Sequence, residues 1–427
     1  MTDGNRLGAS PVAGSGGYGQ PPSAGGAAAG PPAAAPGSGP AAKPVRRPGH
    51  VGSLSVAQIV LAEVAVLLAV GAATRGLIPG LIAAVAAVAV LVLVFARRGH
   101  RWWMEHRLIA RQHRRRRAAA VDTSVGPALA ALRTLAPRLA IHDVTAPDGA
   151  RVGVARDESG WFAAVAMTPT DPVHAEAAPI PIDALVGVLA DVDHPGVVLQ
   201  LVTHTVPAPS LDLHAASLAG SSYRQLTGVF GPVPVPAHRE STVVVRLDAV
   251  ALAEALLDHT VDPGAAAALT AGLSRRMARG LRQLGIACRG LDADELLHAL
   301  ARSCDVEASG SAPVREDWLE WHSAHLTHRT FWLQSWPAAE QIGPLLEWTA
   351  SIPAAQNNIA IVLNPAEGDG EIVTRLLIRI AAPRESMPGL SKHLTDGVAR
   401  VGGELFPLDG EQGPGVYATA PTGGGAG

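Results

Sequence analysis

Two long apolar runs stand out in the first hundred residues. Residues 55–73 form a run of 19 that contains one charge, Glu63, and residues 76–96 form an uncharged run of 21. An α-helix rises 1.5 Å per residue, so the runs would be about 28 and 31 Å long, close to the hydrocarbon core of about 30 Å. Only Thr74 and Arg75 lie between them. The pattern predicts a two-helix transmembrane hairpin over residues 51–96.

The hydrophobic pattern divides the rest of the chain into four parts. Residues 1–50 are mostly Gly, Pro, Ala and Ser without periodicity, which predicts a disordered tail. Residues 97–120 predict a basic juxtamembrane helix that continues the second span. Residues 121–410 predict a folded cytosolic domain, and residues 411–427 a short C-terminal strand with a Gly-rich tail.

The folded part mixes the periods of strands and helices. Its last third repeats a helix followed by two short apolar runs three times, which predicts a mixed α/β sheet layered by helices. Asp292 and Glu295 form a capping box that opens a helix. The predicted strands are 151–156, 161–168, 197–206, 242–247, 316–322, 326–336, 358–363, 371–380, 404–407 and 415–419, and the longest predicted helix is 265–284.

Charge is distributed unevenly along the 427 residues. Residues 1–117 hold 14 Lys and Arg against three acidic residues, a net charge of +11, and residues 118–427 hold 20 against 34, a net charge of −14. An acidic body would repel a phosphate backbone, so a uniformly basic nucleic-acid binder is excluded and no nucleic-acid partner is expected.

The basic residues also predict an orientation. Positive charges flank both apolar runs, whereas Arg75 is alone in the loop, and by the positive-inside rule both termini would be cytosolic. The chain is therefore expected to be a multi-pass protein of the cytoplasmic membrane. Its two cysteines, Cys288 and Cys304, fit a reducing compartment for the large domain.

Several residues are candidates for membrane or partner contact. Trp102 and Trp103 follow the second apolar run, where indole favours the membrane interface. Glu63 lies in the middle of the first run, where a carboxylate is costly; it either serves a function or is protonated and bonded within the hairpin. The basic candidates are Arg114, Arg115, Arg116 and Arg117.

Signatures of common enzymes are missing from the sequence. It contains no Walker A motif, no H-E-x-x-H and no G-x-S-x-G. Asp191 and Asp193 form a D-x-D that could hold a metal and a sugar nucleotide, or lie in a polar loop. His322, His325 and His328 could bind Zn or Cu on a helix, but flanking aromatic residues favour strands, where this spacing alternates faces. We expect no catalytic residue, cofactor or metal.

Four segments resemble one family. They are Val152-Gly153-Val154, Gly160-Trp161-Phe162-Ala163, VVLQLVTHTVPAPS at 197–210 and THRTFWLQSWP at 327–337. Together with the hairpin, the basic segment and the large domain, they resemble EccE, a component of the actinobacterial type VII (ESX) secretion membrane complex. The resemblance covers roughly residues 50–420.

The resemblance implies a non-enzymatic structural subunit. Its partners would be EccB, EccD and the ATPase EccC, together with the lipid membrane. It also implies that the cytosolic domain is similar to a degenerate glycosyltransferase-like fold. The alternative from the residues alone is a membrane-anchored glycosyltransferase-like enzyme that uses the D-x-D.

Overall fold

The structure is a computed structural model of the chain. It describes residues 42–44, 50–51, 54–98, 101–118, 124–146, 149–168, 182–192, 196–207, 210–211, 217–218, 220–222, 225, 238–255, 262–306, 314–365 and 372–425. The predicted disordered tail lies almost entirely outside these residues, as does Asp193 of the D-x-D.

The two apolar runs form two helices, but the prediction of a transmembrane hairpin is wrong. Helix α1 spans Val56–Ala73, 18 residues, and α2 spans Leu77–Phe95, 19 residues. Each helix is shorter than its apolar run because Ser55 lies in a strand and Gly76 and Ala96 are non-helical. Within the described residues, no helix has both the length and the apolar character for crossing a membrane. This finding also overturns the predicted multi-pass location with both termini cytosolic.

The second apolar helix does not continue into the basic segment. After Phe95 the backbone is extended at Ala96, with φ −63° and ψ 131°, and a short hairpin follows. A new helix, α3, begins at Trp103 and ends at Arg117. The single long helix that the sequence predicted is therefore two helices separated by a turn.

The strands after α3 belong to one large sheet. Its order is β12-β13-β14-β16-β15-β9-β10-β8-β7-β6, with β1, β11 and β17 paired to β16, β8 and β14. The strands are β1 Ala42–Pro44, β2 His50–Val51, β3 Leu54–Ser55, β4 Arg97–Arg98, β5 Arg101–Trp102, β6 Ala140–Thr145, β7 Arg151–Arg156, β8 Gly160–Met167, β9 Val197–Val206, β10 His238–Asp248, β11 Cys288–Gly290, β12 Arg315–Glu316, β13 Trp321–His322, β14 Thr327–Ser335, β15 Gln356–Pro365, β16 Ile372–Ala382 and β17 Glu404–Pro407.

The sheet is mostly antiparallel, which corrects the predicted mixed α/β fold and its likeness to a glycosyltransferase-like fold. Among the described strands, only β1 and β16 pair in parallel. Strands β7 and β8 are joined by three residues and β13 and β14 by four, and connections this short can link only antiparallel neighbours. The repeated order of one helix and two apolar runs in the sequence did not show whether successive strands are joined by hairpins or by crossovers.

Helices cover both faces of the sheet. Leu185, Met277 and Leu394 pack with one set of strand side chains, and Leu132 and Leu300 pack with the alternate set. Because successive strand residues point to opposite faces, these are two separate cores. The first core includes α5 Ile182–Val192, α7 Pro263–Gln283, α9 Ala339–Ala350 and α10 Met387–Arg400; the second includes α4 Pro127–Leu135, α8 Ala293–Ser303 and α11 Gln412–Ala418; α6 spans Ala249–Ala255.

Many local predictions are confirmed, and one at the end of the chain is wrong. Strand β9 has the predicted bounds, and the capping box of Asp292 and Glu295 is formed at the start of α8. The second repeat of a helix and two strands is present, whereas in the first the helix is followed by three strands, β12, β13 and β14. The apolar run at 415–419 lies in α11 and its C-cap and is not a strand, so the third repeat ends in a helix.

Gly153 allows α8 to start directly on the sheet. Its N–H donates to the carbonyl oxygen of Leu291 at 2.8 Å. A Cβ at this position would lie 2.4 Å from the carbonyl carbon and oxygen of Asp292, the N-cap of α8. Only a residue without a side chain fits between β7 and this helix.

We expect Gly153→Ala to lower the free energy of unfolding by about 2 kcal/mol, because backbone atoms of α8 would have to move away from the sheet. Denaturant unfolding of the purified chain measures this. Gly343→Ala is the matched control, since nothing lies within 4 Å of its Cβ position in α9. That variant should be neutral or stabilising; equal losses in both variants would contradict the steric explanation.

Candidate functional site

Arg116 fixes the basic helix to the folded body. Its Nε and Nη2 donate to the two carboxylate oxygens of Glu316 at 2.8 and 2.9 Å, and Nη2 also donates to the carbonyl oxygen of Gly410 at 2.6 Å. The same carboxylate accepts the Gly413 N–H at 3.0 Å. Glu316 is 9% exposed, so this two-pronged pair is largely shielded from water.

The other predicted contact residues have different surroundings. Arg114, Arg115 and Arg117 are exposed on α3, and Trp103 is half-buried at its start. Trp102 lies in β5, and its side chain is outside the described residues. Glu63 is exposed on α1. The structure thus gathers the α3 residues on one helix, with Arg116 turned towards the body and three arginines turned outward.

A pocket lies between α3 and Trp318. Its volume is about 430 Å³. The indole of Trp318 contacts the rings of His106 and His113, with centroids 4.7 and 5.6 Å apart. Gly410, with φ +80°, lies behind it, and a Cβ there would come within 2.7 Å of Trp318. The lining residues are Trp103, His106, Arg107, Ala110, His113, Arg114 and Trp318.

A second polar group is buried inside the body, where two of the EccE-like segments meet. His204 is on β9 and His328 on β14, and both are buried. Between them lies Arg379 of β16, which is fully buried. Arg379 donates to His328 Nδ1 at 3.1 Å and, from Nη2, to the carbonyl and hydroxyl oxygens of Ser303 at 2.6 and 3.0 Å.

The chemistry of the partners fixes the protons on one side of this group. Arginine can only donate, so His328 Nδ1 accepts and its Nε2 carries the hydrogen. That Nε2 lies 3.2 Å from the Ser323 hydroxyl, which donates to Asp305 at 2.5 Å. A chain of hydrogen bonds therefore runs from a buried cation through a neutral imidazole to a carboxylate.

A second branch reaches the other histidine. The Ser303 hydroxyl lies 3.3 Å from Asn358 Oδ1, which also accepts from His204 Nδ1 at 2.9 Å. Burial lowers the pKa of His204 to about 4. Burial, and then the nearby Arg379, hold the pKa of His328 well below its ordinary value. Both imidazoles are thus neutral at pH 7.

This buried group joins strands, and two of its members, His204 and Ser303, also line a small pocket of about 20 Å³. Ser323 contacts Asp305 and His328 at the same time and is 8% exposed, whereas a nucleophile must face its substrate. Burial lowers the pKa of Arg379 itself to about 10. The arrangement links β9, β14, β15 and β16 to the C-terminal end of α8.

A third buried group anchors the C-terminal segment. Arg246 forms an ion pair with Asp157 and donates to the carbonyl oxygen of Thr422 at 2.5 Å. Tyr417 donates to the other oxygen of Asp157 at 2.8 Å. The Gln200 side chain holds the same segment, because its Oε1 accepts the N–H groups of Thr422 and Gly423 at 3.2 and 2.6 Å.

The metal candidates are separated in the fold. His322 is in β13 and His328 in β14, and the exposed His325 lies between the two strands. Both ring nitrogens of His322 have partners, Thr327 at 3.1 Å and Asp317 at 3.2 Å. Across the described ranges, no three His, Cys, Asp or Glu side chains are grouped as a metal would require. Asp191 lies at the end of α5, and Asp193 is outside those ranges.

Sequence reasoning missed most residues of these groups. It did not identify Glu316, Asn358 or Asp157, which have no local motif that marks them. Arg379 did have a signal, because it is a charge inside the apolar strand LLIRIAA. A cation at such a position must have partners in the interior, and this implies further buried polar side chains.

The two buried imidazoles predict a loss of stability in acid. In the unfolded chain their pKa would be near 6.5, so below that pH the unfolded state binds more protons than the folded state. For His204 the loss should begin near pH 6.5 and level off near pH 4, at about 1 kcal/mol per pH unit. Chemical unfolding at pH 7, 6 and 5 should show a shallower slope for His204→Gln than for the original chain. His325→Gln, at an exposed site, should keep the original slope; a shallower slope there too would contradict this assignment.

We also expect Arg116→Gln to lower the free energy of unfolding by about 2 kcal/mol, because it leaves the Glu316 carboxylate without its charged donor. Arg115→Gln removes the same charge at an exposed position of the same helix and should change it by less than about 0.5 kcal/mol. Hydrogen exchange of α3 should increase only in the first variant. Similar values for both would show that the pair with Glu316 does not hold the helix.

A comparison with protein-family models gives a match to part of the chain. Residues 235–333 match the family model described as "Putative type VII ESX secretion system translocon, EccE". The match confirms the resemblance to EccE within residues 235–333 and connects the chain with type VII secretion. Of the four EccE-like segments, the match includes part of the one at 327–337 and none of the other three. Its bounds include β10, α7, α8 and most of β14, and so both His328 and Arg246. No curated protein matches the sequence.

Proposed function

Because the EccE match covers residues 235–333, we propose that this chain is a non-catalytic structural subunit of a type VII secretion complex. In this proposal it contacts EccB, EccD and the ATPase EccC, the partners that the resemblance implies. The family match is the observation that carries the proposal. Two features of the structure support it.

The first feature is the apolar surface of α1 and α2. Leu67, Leu68 and Leu81 are between 62% and 68% exposed, and Leu77 is 92% exposed. Large side chains on both helices are therefore left in contact with water along the hairpin. An exposed apolar surface of this kind marks an interaction site, because a surface without a partner would gain by burial.

The second feature is the closed character of the polar groups in the body. Arg379 donates from both terminal nitrogens, and Arg246 donates to Asp157 and Thr422, so both almost fully buried guanidinium groups have partners in the same chain; the Nε of Arg379 lacks one among the described residues. Such residues maintain a shape. A subunit that works by contact needs a stable shape and exposed surfaces, and it has no requirement for a reactive group.

We expect the tagged chain, purified from its native cells in mild detergent, to bring EccB, EccC and EccD with it. Mass spectrometry identifies the partners. The double variant Leu68→Gln/Leu81→Gln should recover less of these subunits, since both positions are exposed on the hairpin and are 68% exposed. Leu218→Gln is the matched control, because Leu218 is 91% exposed but lies outside the hairpin.

Two outcomes would contradict the proposal. One is a purified chain that brings no secretion ATPase. The other is binding of Mn²⁺ and a nucleotide sugar by the purified chain, lost in Asp193→Ala, which would favour the glycosyltransferase-like enzyme. Equal recovery from the hairpin variant and its control would remove the hairpin from the contact surface and leave the family assignment unaffected.

A further inference from the structure

We propose that the pocket between α3 and Trp318 binds an acidic protein segment, one in which a carboxylate side chain stands beside an aromatic or aliphatic one. The inference deepens the proposed function, since it gives the chemistry of a partner. Its physical basis is the pocket alone: its size, its walls, its charges and a carboxylate contact that the same helix already makes.

The pocket has the size and the walls of a binding site. Its volume of about 430 Å³ is within the range of about 300–1,000 Å³ that is usual for ligand pockets. One face of α3 contributes Trp103, His106, Ala110 and His113, which are spaced by three or four residues and therefore lie on the same side. Trp318 closes the opposite side, and the small Ala110 leaves the space between them open.

The charges in the pocket are positive and held in place. The Arg107 guanidinium lies 4.5 Å from the centre of the Trp103 ring, which orients it while its N–H groups stay available. Arg114 lies about two helical turns further along and is exposed. In the part of the chain that the structure describes, no carboxylate pairs with either arginine, and none of the lining side chains is acidic.

Helix α3 already binds a carboxylate beside the pocket. Arg116 holds Glu316 with two hydrogen bonds, and His113 Nδ1 lies 3.7 Å from the same carboxylate. His113 is 6% exposed, and its Nδ1 has no hydrogen-bond partner. A second carboxylate in the pocket would meet the same kind of groups, an oriented guanidinium and an imidazole.

The surroundings favour a narrow protein segment over a broad anionic surface. The body that carries Trp318 has a net charge of −14 over residues 118–427, so it repels a vesicle surface or a nucleic acid that approaches along it. An extended segment places only a few charges near that body. Its aromatic or aliphatic side chain would be buried against the indoles of Trp103 and Trp318. A phosphate group has no apolar surface to make this contact.

Fluorescence anisotropy of a labelled peptide tests the inference on the purified full chain. The probe is the hexapeptide Glu-Phe-Glu-Glu-Phe-Glu, and we expect saturable binding. Arg107→Gln/Arg114→Gln should weaken it about tenfold or more, because two charge-assisted contacts are lost. Arg115→Gln/Arg117→Gln removes the same charge from exposed positions outside the pocket and should change the dissociation constant by less than about twofold.

Three results would overturn the inference. Equal weakening by both double variants would show diffuse attraction to a basic helix. Equal binding of a peptide with Gln in place of Glu would show that the pocket does not recognise a carboxylate. Binding to anionic phospholipid vesicles that is lost only in Arg107→Gln/Arg114→Gln, without peptide binding, would assign the pocket to a lipid headgroup. None of these results affects recovery of the secretion subunits with the tagged chain, so the proposed function is tested separately.

Discussion

The burial of arginine in the centre of the sheet is the constraint on which the body depends. Moving a guanidinium out of water without partners costs far more free energy than one apolar contact contributes. The group also cannot become neutral at physiological pH. Arg379 therefore requires Ser303, His328 and, through them, Asn358 and Asp305. These residues come from separate elements, so correct placement of one cation fixes the spacing of α8 against three strands.

The same constraint occurs a second time, at Arg246, with a different solution. Here the arginine contacts a carboxylate directly, because it forms an ion pair with Asp157. Asp157 also accepts hydrogen bonds from two backbone N–H groups of its own turn and from the Tyr417 hydroxyl. Removing one member of such a group leaves a buried charge without compensation, which is more damaging than the loss of a surface pair. The helix α3 uses a third arginine, Arg116, at the edge of the body, where its side chain is 22% exposed and that of its partner Glu316 is 8% exposed.

Sequence alone gave the local elements well, and the long-range arrangement poorly. Strand β9 and the Asp292 cap depend on neighbouring residues, so their patterns predicted them. Whether strands pair in parallel depends on contacts far apart in the chain, and the helix-and-strand rhythm was misread as a mixed sheet. Helix α2 is shorter than its apolar run because the backbone is not helical at Gly76 and Ala96. The composition of the run is uninterrupted at both residues, so it does not reveal these ends. At the candidate site, the predicted α3 residues lie together, but their partners Glu316 and Trp318 had no signal because nothing in their local sequence points to α3.

The contact between Asp157 and Tyr417 also has a consequence for how the chain folds. It closes a loop of 260 residues, and the entropy of closing a loop of that length is about 5 kcal/mol by polymer scaling. Little is gained from such a contact until the sheet between its ends has formed, so it belongs to a late step. A topology dominated by distant pairings folds slowly, and during that time β8 and β10 lack the cover that α11 later provides. The folding of this body is therefore limited by the search for its distant partners, although its individual helices and hairpins form from local sequence.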